Sequence, residues 1–255
     1  MTNALTVSLD GKVAVLEFHR PPVNFFDREL LSEIADAAAE LADGDTCRAL
    51  VLCSEGKHFC AGANFGEGGL GEERAAASRA IYTEAVRLFE IGVPVVAAVQ
   101  GSAVGGGLGL ACSADFRVAA ESSRFHANFS ALGFHQGFGL SVSLPRIVGE
   151  QTAADLLYTS RRLTGSEAHA VGLVDRLAEE GEIRSTALEL AHRIAANAPL
   201  AVQSMKATLR AGLADQVRTV LERELSEQTR LWATEDSAEG VRANLARETA
   251  VFHGR

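Results

Sequence analysis

The chain has 255 residues, 47% of them hydrophobic, and a formal net charge of −9. That length suits one large domain or a core with a small appendage, and with an acidic balance and no basic stripe a nucleic-acid partner is disfavoured. Cys47, Cys53, Cys60 and Cys112 lack C-x-x-C spacing and a histidine cluster, so they read as reduced thiols filling a core, with no disulfide framework and no metal site. No cationic-plus-apolar leader and no uncharged run of ~18 residues is present, which leads to the expectation of a cytoplasmic protein with no membrane partner.

In chain order, Leu5–Leu9 and Val13–Phe18 flank Asp10-Gly11, a hairpin signal. Arg20-Pro21-Pro22 breaks the strand. Asp27 is placed to cap a helix whose Leu30, Leu31, Ile34, Ala35, Ala38 and Leu41 recur at helical spacing. Arg48–Cys53 predicts the next strand, with Ala49, Leu50, Val51 and Leu52 as a continuous apolar run, the pattern of a strand buried on both faces. Ser54–Gly71 is a glycine-rich loop long enough to imply function, and Glu72–Glu90 reads as a helix.

Val93–Ala119 organises what surrounds it. Val95–Val99 predicts a buried strand between Pro94 and Gly101. Gly105, Gly106 and Gly107 then open a buried helix, so main-chain N–H groups point outward at a helix N-terminus. GGGLGL lacks both the G-x-G-x-x-G spacing and a following Lys-Ser or Lys-Thr, so it is neither a dinucleotide nor a P-loop signature. Asp115–Ala119 predicts another strand, and Phe125–Gly139 a second irregular, ligand-sized stretch. Strands alternating with helices argue a parallel or mixed sheet with helices on it. Beyond Gln151 the pattern is nearly all helical, over 152–158, 166–171, 183–197, 200–213, 217–231 and 238–250. Val174–Leu177 is a last candidate strand. Thr164 and Glu167 are spaced as a helix start.

Three segments together resemble a known family. Lys57-His58-Phe59-Cys60-Ala61-Gly62-Ala63-Asn64 resembles the K-x-F-x-A-G-A-D loop of the crotonase superfamily, the enoyl-CoA hydratase/isomerase family. Pro94–Gly107 resembles its P-V-I-A-A-V-x-G-x-x-x-G-G-G segment, and Leu163–Val174 its L-T-G-x-x-x-x-A-x-x-x-G-L-V stretch. The resemblance implies an α/β fold: a crotonase-like β-β-α spiral core (1–195) holding an acyl-CoA site, then a C-terminal α-helical trimerisation region (196–255). It implies homotrimers or dimers of trimers, an acyl-CoA thioester as substrate, and no cofactor besides the coenzyme A of the substrate. Carried over by position, Ala63 and Gly106 would supply the two N–H groups that hold the thioester oxygen. Ala61, Asn64, Phe65 and Gly66 would lie beside the coenzyme A, with Lys57 and Arg20 as candidates near its phosphates. Gly105, Gly109, Phe129, Gln136 and Gly137 would surround the reacting carbons. The chemistry fits, because a thioester oxygen gains negative charge when an enolate forms, and one preorganised donor to it is worth ~2.7–4 kcal/mol.

The chain departs from the family at two positions. The glutamates that hydratases of this family use fall here on Gly109 and Phe129, neither of which accepts a proton, whereas water addition relies on paired carboxylates. Gly109 is expected to leave room that Gly109→Glu with Phe129→Glu could fill. His135 is the candidate acid or base in their place; strand alternation turns His126 and Asn128 away from Ala127 and Phe129. The reaction is therefore expected to be isomerisation, decarboxylation, C–C cleavage or thioester hydrolysis; the alternative is a non-catalytic acyl-CoA-binding protein or assembly subunit. Cys60 reads as a small buried thiol, Asp115 as a cap or ion-pair partner, and Trp232 as core or subunit interface. Phe65, Phe129, Phe134 and Phe138 suggest an aromatic-lined acyl pocket.

Overall fold

The computed structural model describes residues 4–44, 46–63 and 72–255. The hairpin forms as expected: β1 (Leu5–Asp10) pairs antiparallel with β2 (Val13–Phe18). From β2 onward the sheet is parallel, through β3 (Ala49–Ser54), β4 (Val95–Val99), β6 (Phe116–Ala120) and β9 (Arg176–Ala178). The six strands run in the order β1-β2-β3-β4-β6-β9. Every residue of β3 is buried, because both faces of the sheet are covered. Alternation splits the run: Ala49, Val51 and Cys53 face α7 (Ile183–Ala195), while Leu50 and Leu52 face the main core.

That core is closed by α1 (Arg28–Asp43), α2 (Glu72–Phe89), α3 (Gly106–Ser113) and a second sheet of three short strands. These are β5 (Ser102–Val104), β7 (Arg124–His126) and β8 (Arg162–Thr164), in the order β5-β7-β8. At three residues each, they are too short to leave an alternating pattern in the sequence. The stretch Phe125–Gly139, expected to be irregular, thus begins inside β7 and contains one 3-10 turn, Ser130–Leu132. The helix after it, α4 (Leu140–Val148), was not anticipated: it carries Pro145 and lies between Gly139 and Gly149, which read as breakers.

The C-terminal third is helical apart from β8 and β9: α5 (Glu150–Thr159), α6 (Gly165–Ala170), α7, α8 (Pro199–Leu209), α9 (Leu213–Trp232) and α10 (Glu235–Ala246). Thr164 and Glu167 form a reciprocal capping box at the start of α6. Asp115 is an ion-pair partner: its carboxylate accepts from Lys206 Nζ at 2.7 Å and Arg210 Nη1 at 2.9 Å, holding α8 to the sheet. α9 lies along α2, bridged by Arg79–Glu222 at 2.7 Å. No helix among the described residues is long and apolar enough to cross a membrane.

Candidate active site

The two glycine-rich segments meet through backbone pairing. Cys60 N donates to Ser102 O and Val104 N to Cys60 O, each at 3.0 Å. Phe26 N donates to Gly62 O at 3.0 Å. Ala63 is thereby held between Phe26 and the turn that starts α3, and a Cβ added at Gly62 would lie 3.2 Å from Gly106 N. Gly106 is the first residue of α3, where N–H groups have no partner inside the helix. Among the described residues, neither the Ala63 N–H nor the Gly106 N–H donates to a protein acceptor. Both residues line the same cavity, of about 40 Å³. Two residues lining one cavity, each with an amide that has no acceptor among the described residues and one of them at a helix's positive end, suit an oxygen that gains charge.

The opposite wall is made of side chains from α2 and α9. Tyr82 donates its hydroxyl to Gln228 Oε1 at 2.6 Å, and Gln228 Nε2 donates to His135 O at 3.0 Å. Burial pushes the Tyr82 hydroxyl well above its ordinary value, so it stays a neutral donor. Gly137 lies close under that hydroxyl: a Cβ there would overlap it and would displace the Tyr82–Gln228 pair. Trp232 also lines the cavity, with the Arg74 guanidinium stacked on its ring at 4.3 Å. It is therefore part of the site wall, not simply core. Behind this wall Glu224 is fully buried, accepting from Gly139 N and Ser141 N at 2.9 Å each. Burial drives its carboxyl up to about 7, against the pull of those two donors.

Phe129 and Gly137 line the cavity, as does Phe138. The room expected at Gly109 does not exist: a Cβ there would stand 2.6 Å from Phe138 Cβ and 2.7 Å from its Cγ. The Phe138 ring, packed 5.3 Å from that of Phe26, fills the space into which a glutamate at 109 would project. Gly109→Glu with Phe129→Glu would therefore overpack the core. His135 does not line the cavity; its Nδ1 lies 2.8 Å from Gln136 O. Gln136 is likewise turned aside, donating to Ser141 Oγ at 2.9 Å. Gly105 caps α3 and donates to His126 O at 2.9 Å. Asn64, Phe65 and Gly66 lie outside the described residues. Cys60 is inert: burial pushes its thiol up to about 12. Among the described residues no cluster of His, Cys, Asp or Glu could hold a metal ion.

A larger groove, of about 720 Å³, is also lined by Ala63, together with Ala61. His126, Asn128, Arg124 and Arg162 line it. The expected division holds there, although the strand ends at His126 and a turn follows: His126 and Asn128 face the groove, Phe129 the inner cavity. Arg20 is engaged by Asp27. The sequence pattern missed Tyr82, Gln228 and Ser78, since polar residues on helices normally read as solvated faces; the available signal was the amphipathic pairing of α2 with α9.

A family model described as enoyl-CoA hydratase/isomerase matches residues 9–255. The crotonyl-CoA hydratase of Syntrophomonas wolfei is 34% identical over 247 residues, covering 95% of each chain. The 1,2-epoxyphenylacetyl-CoA isomerase of Escherichia coli is 28% identical over 250 residues, again covering 95% of each. The crystal structure of an enoyl-CoA hydratase/isomerase from Pseudoalteromonas atlantica superimposes with a TM-score of 0.86 at 29% identity, covering 98% of this chain and 100% of that one. A match along almost the whole length, on an α/β fold of mixed sheet and helices, establishes kinship: the chain belongs to the enoyl-CoA hydratase/isomerase family of the crotonase superfamily.

Proposed function

We propose that this enzyme takes a short acyl-CoA thioester, holds its carbonyl oxygen with the Ala63 and Gly106 N–H groups, and passes through a thioester enolate. The observation that carries this reading is that, among the described residues, neither amide has an acceptor and both residues line one cavity. The pantetheine arm occupies the groove past Ala61, and the acyl group enters the cavity walled by Phe26, Phe129, Phe138 and Trp232. Coenzyme A is thus part of the substrate.

Of the reactions open to such an enolate, decarboxylation fits this cavity best. No carboxylate among the described residues lines it, so water addition through paired carboxylates has no support, and isomerisation would lack its base. Loss of a β-carboxylate needs no base. The bond from the α-carbon to the carboxyl carbon breaks, CO2 leaves, and the electron pair moves through the α-carbon onto the thioester oxygen. Water then supplies one proton to the α-carbon, and the electron pair on oxygen restores the thioester carbonyl. Aromatic walls favour the step by stripping water from the carboxylate. A homotrimer or dimer of trimers completes the proposal, with 196–255 as its oligomerisation region. The apolar residues that α8 leaves exposed, Leu200 at 79%, Leu209 at 73% and Met205 at 63%, support it.

Mass spectrometry of a panel of malonyl-, methylmalonyl-, β-ketoacyl- and enoyl-CoA esters, with ultraviolet assay of crotonyl-CoA, tests the reading. Loss of CO2 from a β-carboxyl ester is the expected result. Rapid hydration of crotonyl-CoA would overturn the reaction, and binding of the panel without turnover would favour the non-catalytic alternative. His135→Ala decides the role of that residue. Lost turnover with retained binding would assign it proton transfer; retained turnover would leave it only its main-chain carbonyl, anchored by Gln228.

A further inference from the structure

The inner cavity has a neighbour. A second cavity of about 310 Å³ lies further along the cleft between α2 and α9. Its floor is apolar, made by Val86, Leu221 and Leu225. Its rim carries Arg79, Arg87 and Arg218, yet each has a carboxylate: Glu222 for Arg79, Glu84 and Asp36 for Arg87, Asp215 and Glu90 for Arg218. A rim whose charges are already paired, over an apolar floor, suits a hydrocarbon chain and not an anion.

Tyr82 alone among the described residues lines both cavities. Its hydroxyl, bonded to Gln228 Oε1 at 2.6 Å, ties α2 to α9. The space on the oxyanion side, about 40 Å³, holds a few heavy atoms at most; for scale, an engineered cavity of roughly 150 Å³ takes benzene. Resting on the acyl-CoA reading above, we propose that Tyr82 is the acyl-length determinant: a partition latched to Gln228 that confines the acyl group to the inner cavity and closes off the outer one.

Saturated acyl-CoA esters, which lack a reacting group, test this by binding alone. Dissociation constants for butyryl-CoA and octanoyl-CoA are measured calorimetrically for the wild type, Tyr82→Ala and the milder Tyr82→Leu. The ratio of butyryl to octanoyl constants is expected to rise at least tenfold in Tyr82→Ala and by less in Tyr82→Leu, as the extra methylenes reach the outer cavity. Adding Val86→Phe, which fills that cavity, should return the ratio to the wild-type value. Tyr82→Phe keeps the ring but loses the hydroxyl bonded to Gln228, and should raise the ratio by less than Tyr82→Ala. If Tyr82→Ala does not fold, Tyr82→Leu carries the test. A wild type that binds butyryl-CoA, with a ratio unmoved in the folded Tyr82 variants or a gain that survives Val86→Phe, overturns the partition. A wild type that binds neither ester overturns the acyl-CoA reading instead.

Discussion

The two walls of the cavity are built in opposite ways. On the core wall the polar groups are main-chain amides, at Ala63 and Gly106, fixed by pairing among Gly62, Cys60, Ser102 and Val104. On the helix wall they are side chains, Tyr82 and Gln228, separated by 146 positions and joined only when α9 lies along α2. An amide donor survives substitution of its own side chain; a tyrosine–glutamine bridge does not. A fold with this division can keep its charge-stabilising step while the opposite wall alters what is bound and what happens to it.

The sharpest way to break the comparison is to delete one core-wall amide. Gly106→Pro removes the N–H at the first helical position, where proline is tolerated. Gly106→Ala keeps the N–H but adds the same first carbon, which would meet Phe26 Cζ at 2.6 Å. The proline variant is expected to fall below the alanine variant in kcat by about 10²–10³. Equal losses in both would place the effect in a displaced Phe26 and remove the amide from the mechanism.

The helix wall predicts a different signature, because a titrating group is buried behind it. The folded chain holds the Glu224 proton up to about pH 7, whereas an exposed glutamate releases it near 4.5. Between those values the native state binds more protons than the unfolded state, so stability falls as pH rises. The cost is on the order of 3 kcal/mol once the group is ionised. Glu224→Gln keeps an acceptor for one of the two N–H groups and cannot ionise. The stability of wild type relative to this variant, from urea denaturation, should decline between about pH 5 and pH 8. A flat difference would mean that the Gly139 and Ser141 amides keep the carboxylate charged throughout.

How much was legible in the sequence follows the same division. Ala63 and Gly106 came from the resemblance, carried by two short, contiguous glycine-rich segments, and the structure brings both to one cavity. The strands of the main sheet could be placed because burial on both faces leaves unbroken apolar runs, as in Ala49–Ser54. The Tyr82–Gln228 bridge could not, since no local rule links positions on separate helices. The Gly109 expectation failed for a related reason: a missing side chain reads as space only if nothing else moves in, and Phe138, from a turn far along the chain, fills it. Gln136 and His135 were drawn toward the site by their closeness in sequence to Gly137, but the turn directs Gln136 to Ser141 and presents the His135 carbonyl, not its ring, to Gln228.

The smallest expected effect tests whether the core wall is set by its sheet or by the helix beside it. Asp27 caps α1, its Oδ1 accepting from Leu30 N at 2.8 Å, and it also pairs with Arg20. Asp27→Ala removes both, at a cost of about 1 kcal/mol for the cap. Asp27→Asn keeps the cap and loses only a part-exposed ion pair, worth roughly 0–1 kcal/mol. Thermal denaturation should therefore rank wild type above the asparagine variant, and that above the alanine variant. Turnover well below the melting temperature is expected to survive in both, because Phe26 is held by its own amide bonded to Gly62 O, independently of the first turn of α1. A folded alanine variant without turnover would mean that the helix cap places the Phe26 ring, and the core wall would then depend on a side chain as the helix wall does.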